Sequence, residues 1–121
     1  GIAWTAFRRW KSNAYRRAAL KELAELAEKL PDNEEAARKL PELVKRTALC
    51  AWPRRQVAGL NGERWLAFLD DTSDSKEFTQ GPGKLLPELA YADSSAIRAI
   101  SRQRFEDLTG AVERWIAKHK T

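Results

Sequence analysis

The sequence has no methionine, one cysteine (Cys50) and one histidine (His119). A single cysteine excludes an intrachain disulfide and any cysteine-based metal site. Its neighbours Ala48, Leu49, Ala51 and Trp52 are apolar, so Cys50 reads as a small buried residue. One histidine leaves a zinc site dependent on carboxylates for its remaining ligands. Long apolar runs are missing too: the longest span four or five residues, against the roughly 20 that a membrane-spanning helix needs. Nothing within the chain crosses a bilayer as a helix, and an anchor could only precede Gly1. With no methionine anywhere, Gly1 reads as a cut point rather than a translation start. Period-two alternation is also absent, and valine and isoleucine are few beside leucine and alanine. That excludes a sheet and leaves an all-α fold.

At 121 residues, 43% hydrophobic and 32% charged, the chain suits one domain with a modest core and a solvated helical surface. The formal net charge of +5 is concentrated at the N-terminus. Residues 1–20 carry five basic side chains, Arg8, Arg9, Lys11, Arg16 and Arg17, and no acidic one. These follow on Ile2, Ala3, Trp4, Ala6 and Phe7, and Trp10 lies among them. An apolar, tryptophan-bearing end followed by a basic cluster is how a spanning helix leaves the bilayer on the cytoplasmic side. A basic cluster there also attracts anionic lipid. Trp4, Arg8, Arg9, Trp10, Lys11, Arg16 and Arg17 therefore read as membrane-proximal. The pI near 9.6 is better explained by this segment than by nucleic acid. Residues 1–20 are expected to be a juxtamembrane stretch running into the first helix, and residues 21–121 a cytoplasmic helical domain.

Leu20, Leu23, Leu26, Ala27 and Leu30 keep helical spacing, predicting a first helix from about Trp4 to Leu30 that Pro31 stops. Asp32 is the expected cap of a second helix, with Glu35 completing a capping box. Its inner face would be Ala36, Ala37, Leu40, Leu43, Val44, Thr47 and Ala48, and Pro41 predicts a break or kink near Lys39–Leu40. Short helices are predicted over Pro53–Ala58 and Gly62–Leu69, with Asn61 a possible cap. A turn-forming loop should fill Asp70–Gly83, followed by a short apolar piece, Lys84–Ala90. One last helix should run from a cap at Asp93 or Ser94 to about Lys118, where Gly110 permits close packing. The architecture expected is a small bundle of about five helices, with a long N-terminal stalk helix and a long C-terminal helix.

No catalytic constellation emerges. His119, flanked by Lys118 and Lys120 at a helix end, suits the negative end of a helix dipole better than a general base. The acidic stretch Asp70, Asp71, Asp74 and Glu77 fails the calcium-loop pattern, with Ser75 where glycine is needed and Gly81 where glutamate is needed. It reads as a solvated loop. Gly81-Pro82-Gly83-Lys84 is no phosphate cradle, because proline lacks an amide donor and no Ser or Thr follows the lysine. Pro53–Leu69 has the outline of a DNA-binding helix-turn-helix, with Arg54, Arg55 and Arg64 available. However, Glu63 follows the turn, and Trp65, Phe68, Asp70 and Asp71 make a poor recognition helix. Trp52, Trp65 and Trp115 are expected first in the core.

The run Ala51-Trp52-Pro53-Arg54-Arg55-Gln56-Val57-Ala58-Gly59-Leu60-Asn61-Gly62-Glu63-Arg64-Trp65-Leu66-Ala67-Phe68-Leu69-Asp70 resembles the central signature of a bacterial family of unknown function. Its members are small membrane-anchored proteins encoded beside MoxR-type AAA ATPases and Bat-type (aerotolerance) von Willebrand factor A proteins. Gly81–Leu86 through Ala90-Tyr91 resembles the family's second block, Arg114-Trp115-Ile116 its C-terminal block, and Tyr15–Leu20 the segment after its membrane span. The resemblance implies one span ending near Trp4, a cytoplasmic domain at the bacterial inner membrane, and accessory work for an AAA ATPase or von Willebrand factor A partner, in protein maturation or stress tolerance. It brings no catalytic residues, no metal and no cofactor. The partner-binding surface is expected at Arg54, Arg55, Gly62 and Arg64 with Gly81, Pro82, Gly83 and Lys84, since loops between helices concentrate binding residues. The alternative is a nucleic-acid-binding module built on the three arginines.

Overall fold

The computed structural model describes the backbone of residues 2–120 and the side chains of residues 13–120. These residues form seven α-helices and a 3₁₀ turn, with no strand among them: α1 (Ile2–Lys29), α2 (Glu34–Ala51), α3 (Arg54–Val57), α4 (Gly62–Ser73), the turn Pro82–Lys84, α5 (Leu85–Tyr91), α6 (Ser94–Arg98) and α7 (Arg102–Lys118). The fold is an all-α bundle, as expected.

The core is built by stripes at helical spacing. On α1, Ala19, Leu23, Leu26 and the following Leu30 are buried, at intervals of three and four that put them on one face. They pack against α2 and α7. Buried contacts thus begin before residue 20, within the stretch read as juxtamembrane. On α2 the inner face is the predicted set from Ala36 to Ala48. Thr47 is tolerated there because its hydroxyl donates to the Leu43 carbonyl at 2.7 Å. On α7, Phe105, Leu108, Ala111, Val112, Trp115 and Ile116 face inward.

Four boundaries differ from expectation. The cap of α2 is Asn33, not Asp32: its side chain accepts the N–H of Ala36 at 2.9 Å. Asn33 is extended at φ −122° and ψ 104°, as a cap requires. No break occurs near Lys39–Leu40, since α2 continues through Pro41. A proline inside a helix costs about 3 kcal/mol, but fully burying a leucine returns about 1.5–3 kcal/mol. Leu40 and Leu43 on either side are both fully inside. The single predicted C-terminal helix is two helices: α6 ends at Arg98, and Ser101, at extended angles, caps α7 by accepting the Arg104 N–H on its side chain. Finally, α4 runs on to Ser73. The hydroxyls of Thr72 and Ser73 donate back to the carbonyls of Phe68 and Leu69, so these turn-forming residues are accommodated inside the helix.

Candidate functional site

The surface expected to bind partners divides into two turns. Arg54 and Arg55 are exposed on α3, and Gly62 and Arg64 are exposed at the start of α4. Gly62 has φ +52°, a left-handed angle that disfavours side chains, so its glycine has a backbone reason as well as an exposed position. Asn61 stands at the cap position of α4 without a side-chain capping bond. Lys45, which sequence reading passed over, fixes this turn from beneath. Its Nζ donates to the Leu60 carbonyl at 2.6 Å and lies 4.1 Å from the centre of the Trp65 ring. Burial pushes its pKa below the usual lysine value.

The second turn is more structural than expected. Gly83 is buried, and a Cβ there would collide with Cδ1 of Phe78 and stand 2.7 Å from that residue's Cα. At Gly81 a Cβ would lie 2.9 Å from the Glu77 carbonyl oxygen. Both glycines thus serve close packing against Glu77–Phe78. Pro82 is half-buried and Lys84 exposed. Among the described residues, no hydrogen bond or ion pair joins this turn to the Arg54–Arg64 turn.

The acidic stretch is solvated only in part: Asp71 and Asp74 are exposed, Glu77 is half-buried and Asp70 is buried. Asp70 is 6% exposed, and its carboxylate organises the chain that follows. One oxygen accepts the N–H of Phe78 at 2.9 Å; the other accepts the N–H and hydroxyl of Thr79. That folds Phe78 fully into the core. Glu77 then meets Arg114 of α7 in a two-oxygen ion pair, and its hydrogen bond raises the arginine's pKa. At Gly110 the nearest neighbour is the Arg114 guanidinium, 3.3 Å from where a Cβ would be. The small residue there leaves room for that arginine rather than for another helix.

The densest cluster is one the sequence did not announce. His119, just past α7, is 1% exposed. It stands at the helix end as expected, but buried. Its Nδ1 lies 2.9 Å from the Trp115 carbonyl and its Nε2 lies 2.6 Å from the Tyr15 hydroxyl. The Trp115 ring stacks on it at 4.5 Å, and Trp52 stands 5.4 Å away. Burial, and to a lesser degree the Arg16 charge, hold its pKa below 6.5. Arg16 closes the cluster by donating to the carbonyls of Ile116, Ala117 and His119. These are orphan acceptors at the end of α7, so a residue of the first helix caps the last one. Trp115 and Lys120 tie the same end to α4 through Thr72.

Arg16 is engaged with the end of α7, whereas Arg17 is exposed. The side chains of Trp4, Arg8, Arg9, Trp10 and Lys11 lie outside the described residues. Cys50 is exposed rather than buried. It lines a groove of about 140 Å³ between α1 and α2, with Tyr15, Ala18, Leu43 and Thr47. Trp65 and Trp115 are buried as expected, and Trp52 is half-buried.

Among the described residues, no group of three or more His, Cys, Asp or Glu is placed to hold a metal, and no helix is long and apolar enough to cross a membrane. No curated protein and no solved structure matches the chain. A family model does match, over residues 1–118, which takes in α1, both turns and the His119 end of α7 up to its last helical residue. The chain therefore belongs to the family described as a domain of unknown function (DUF4381).

Proposed function

We propose that this domain is a non-catalytic interaction module, tethered through α1 to the cytoplasmic face of the bacterial inner membrane. It would serve as an accessory to a MoxR-type AAA ATPase or a Bat-type von Willebrand factor A protein, as the family resemblance implies. The observation carrying the reading is that α1 is one unbroken helix from Ile2 to Lys29. It places the basic, tryptophan-bearing segment in line with the core-packed stripe. The residues before Tyr15 extend about 20 Å at 1.5 Å per residue, so a membrane attachment at that end would be rigidly coupled to the bundle. Exposed Arg54, Arg55 and Arg64 offer a partner a charged turn that Lys45 holds in one shape. Fixed arginines on a rigid element suit recognition of acidic protein surfaces.

The test is co-purification of the full-length protein from solubilised membranes. Recovery of either partner, and its loss in an Arg54→Glu/Arg55→Glu/Arg64→Glu variant, is the expected result. Recovery of neither partner would remove the assignment, and undiminished recovery by the variant would move the surface elsewhere.

The nucleic-acid alternative draws less support. Helix α4 turns Trp65, Leu66, Leu69 and Asp70 into the core, leaving Glu63, Arg64 and Asp71 outside. Two of those three side chains would repel a phosphate backbone.

A further inference from the structure

The junction of the two chain ends is a candidate control point, and it does not depend on the tether or on any partner. The Trp115 carbonyl can only accept, and it is the nearer neighbour of Nδ1, so Nδ1 carries the ring hydrogen. Nε2 then offers a lone pair to the Tyr15 hydroxyl at 2.6 Å. A second proton would turn Nε2 from acceptor to donor and force the Tyr15 hydroxyl to reverse its role from donor to acceptor. It would also create a cation whose Nδ1 lies 3.3 Å from Nη1 of Arg16, between Lys118 and Lys120 in sequence.

The groups facing the imidazole can be named by element. From α1 come Tyr15 and the cationic Arg16. Trp52, at the end of α2, brings an uncharged ring. From α7 come Trp115, stacked on it, and the Ile116 carbonyl. Thr72 of α4 bonds Trp115 and the Lys120 backbone. Among the described residues, no carboxylate bonds the ring. The tryptophan faces and the backbone carbonyls would favour a cation modestly, while burial and Arg16 oppose it, and the opposing effects win.

We propose that Tyr15 and His119 form a proton-sensitive latch between α1 and the end of α7, closed while the imidazole is neutral and opened by its protonation. Opening frees Arg16 and residues 119–120, and uncovers the ring faces of Trp52 and Trp115. The direction follows from linkage. The open junction takes up a proton near the ordinary histidine value of 6.5, and the closed one only below it. The contribution of the neutral imidazole to closure is therefore at full strength above 6.5 and is lost as pH falls toward the lower, folded value. Within that window the opening constant rises about tenfold per pH unit.

His119 is the only histidine, so its imidazole resonances in the full chain report the titration without mutagenesis. Amide exchange, corrected for its intrinsic pH dependence, should be followed at residues 15–20 and 116–120, with Leu43 and Val44 of α2 as the internal reference. The expected result is titration below the ordinary histidine value, with an acid-induced loss of protection confined to the junction. His119→Gln, which cannot protonate, should abolish that pH dependence. The latch is overturned if His119 titrates at or above its ordinary value, or if junction protection stays constant while it titrates. The same acid-induced opening in His119→Gln would overturn it as well. Should His119→Gln not fold, the two wild-type measurements decide alone.

Discussion

The carboxylate of Asp70 accepts the backbone N–H of Phe78 at 2.9 Å, eight residues along the chain, and so turns a run rich in aspartate and serine into a folded element. The bond satisfies a buried amide and sets Phe78 against Gly83. Removing the acceptor leaves the N–H groups of Phe78 and Thr79 short of partners, at a cost of about 3 kcal/mol. Asp70→Ala should therefore lower the urea midpoint markedly, without changing the helical circular-dichroism signature of the remaining core. An unshifted midpoint would mean that the bond contributes nothing.

The two turn glycines should behave unlike Gly59. A methyl at Gly83 meets Phe78 at overlap distance, and overpacking of this kind costs roughly 1–3 kcal/mol. Nothing lies within 4 Å of a Cβ at Gly59, so Gly59→Ala should stay within about 0.5 kcal/mol of the parent. Thermal unfolding of the two variants side by side checks this, and equal melting temperatures would refute the packing role assigned to Gly83.

Arg16 and Arg17 are sequence neighbours with different tasks. Arg16→Gln uncaps the end of α7 and should cost about 1–2 kcal/mol, with little salt sensitivity because its partners are carbonyls. Arg17→Gln, at an exposed position, should leave the melting temperature unchanged and weaken only binding to anionic vesicles, by about 1 kcal/mol. If both arginines affect vesicle binding alone, the capping role fails.

Cys50 should react with a thiol reagent in the folded protein as fast as a solvent-exposed thiol, because it is exposed at the rim of the α1–α2 groove. Cys50→Ser should be neutral in stability. Slow labelling that speeds up only on unfolding would return Cys50 to the interior.

Helical periodicity announced α1, the inner face of α2 and the core of α7, because a stripe at spacings of three and four is a local property of the chain. Local chemistry was less reliable where two residues competed for one task. Asp32 and Asn33 are both good caps, and only the path of the chain after Pro31 chose Asn33. Pro41 signalled a break or kink, and α2 runs unbroken through it. Inside what reads as a single apolar pattern, one helix ended at Arg98 and Ser101 capped the next.

The exposure of the candidate surface was legible in part. Arg54, Arg55, Gly62, Arg64 and Lys84 are where a reading of loops and charge puts them, out in solvent. Gly83 belongs to packing because its neighbour Phe78 is drawn inward by Asp70, and an aspartate followed by a turn-rich stretch carries no local mark of burial. Lys45 looks like any surface lysine until Trp65 and the Leu60 carbonyl are folded beside it.

The sequence by itself determined that the chain is helical, that its positive charge gathers at one end and that the core is made of leucine and alanine stripes. All three follow from composition and short-range spacing. The tertiary structure decided that Tyr15 and Arg16 meet His119, more than a hundred residues away. Such a contact depends on how α1 and α7 lie against each other, which no local pattern encodes, and on burial, which holds the pKa of a lone histidine between two lysines below its ordinary value.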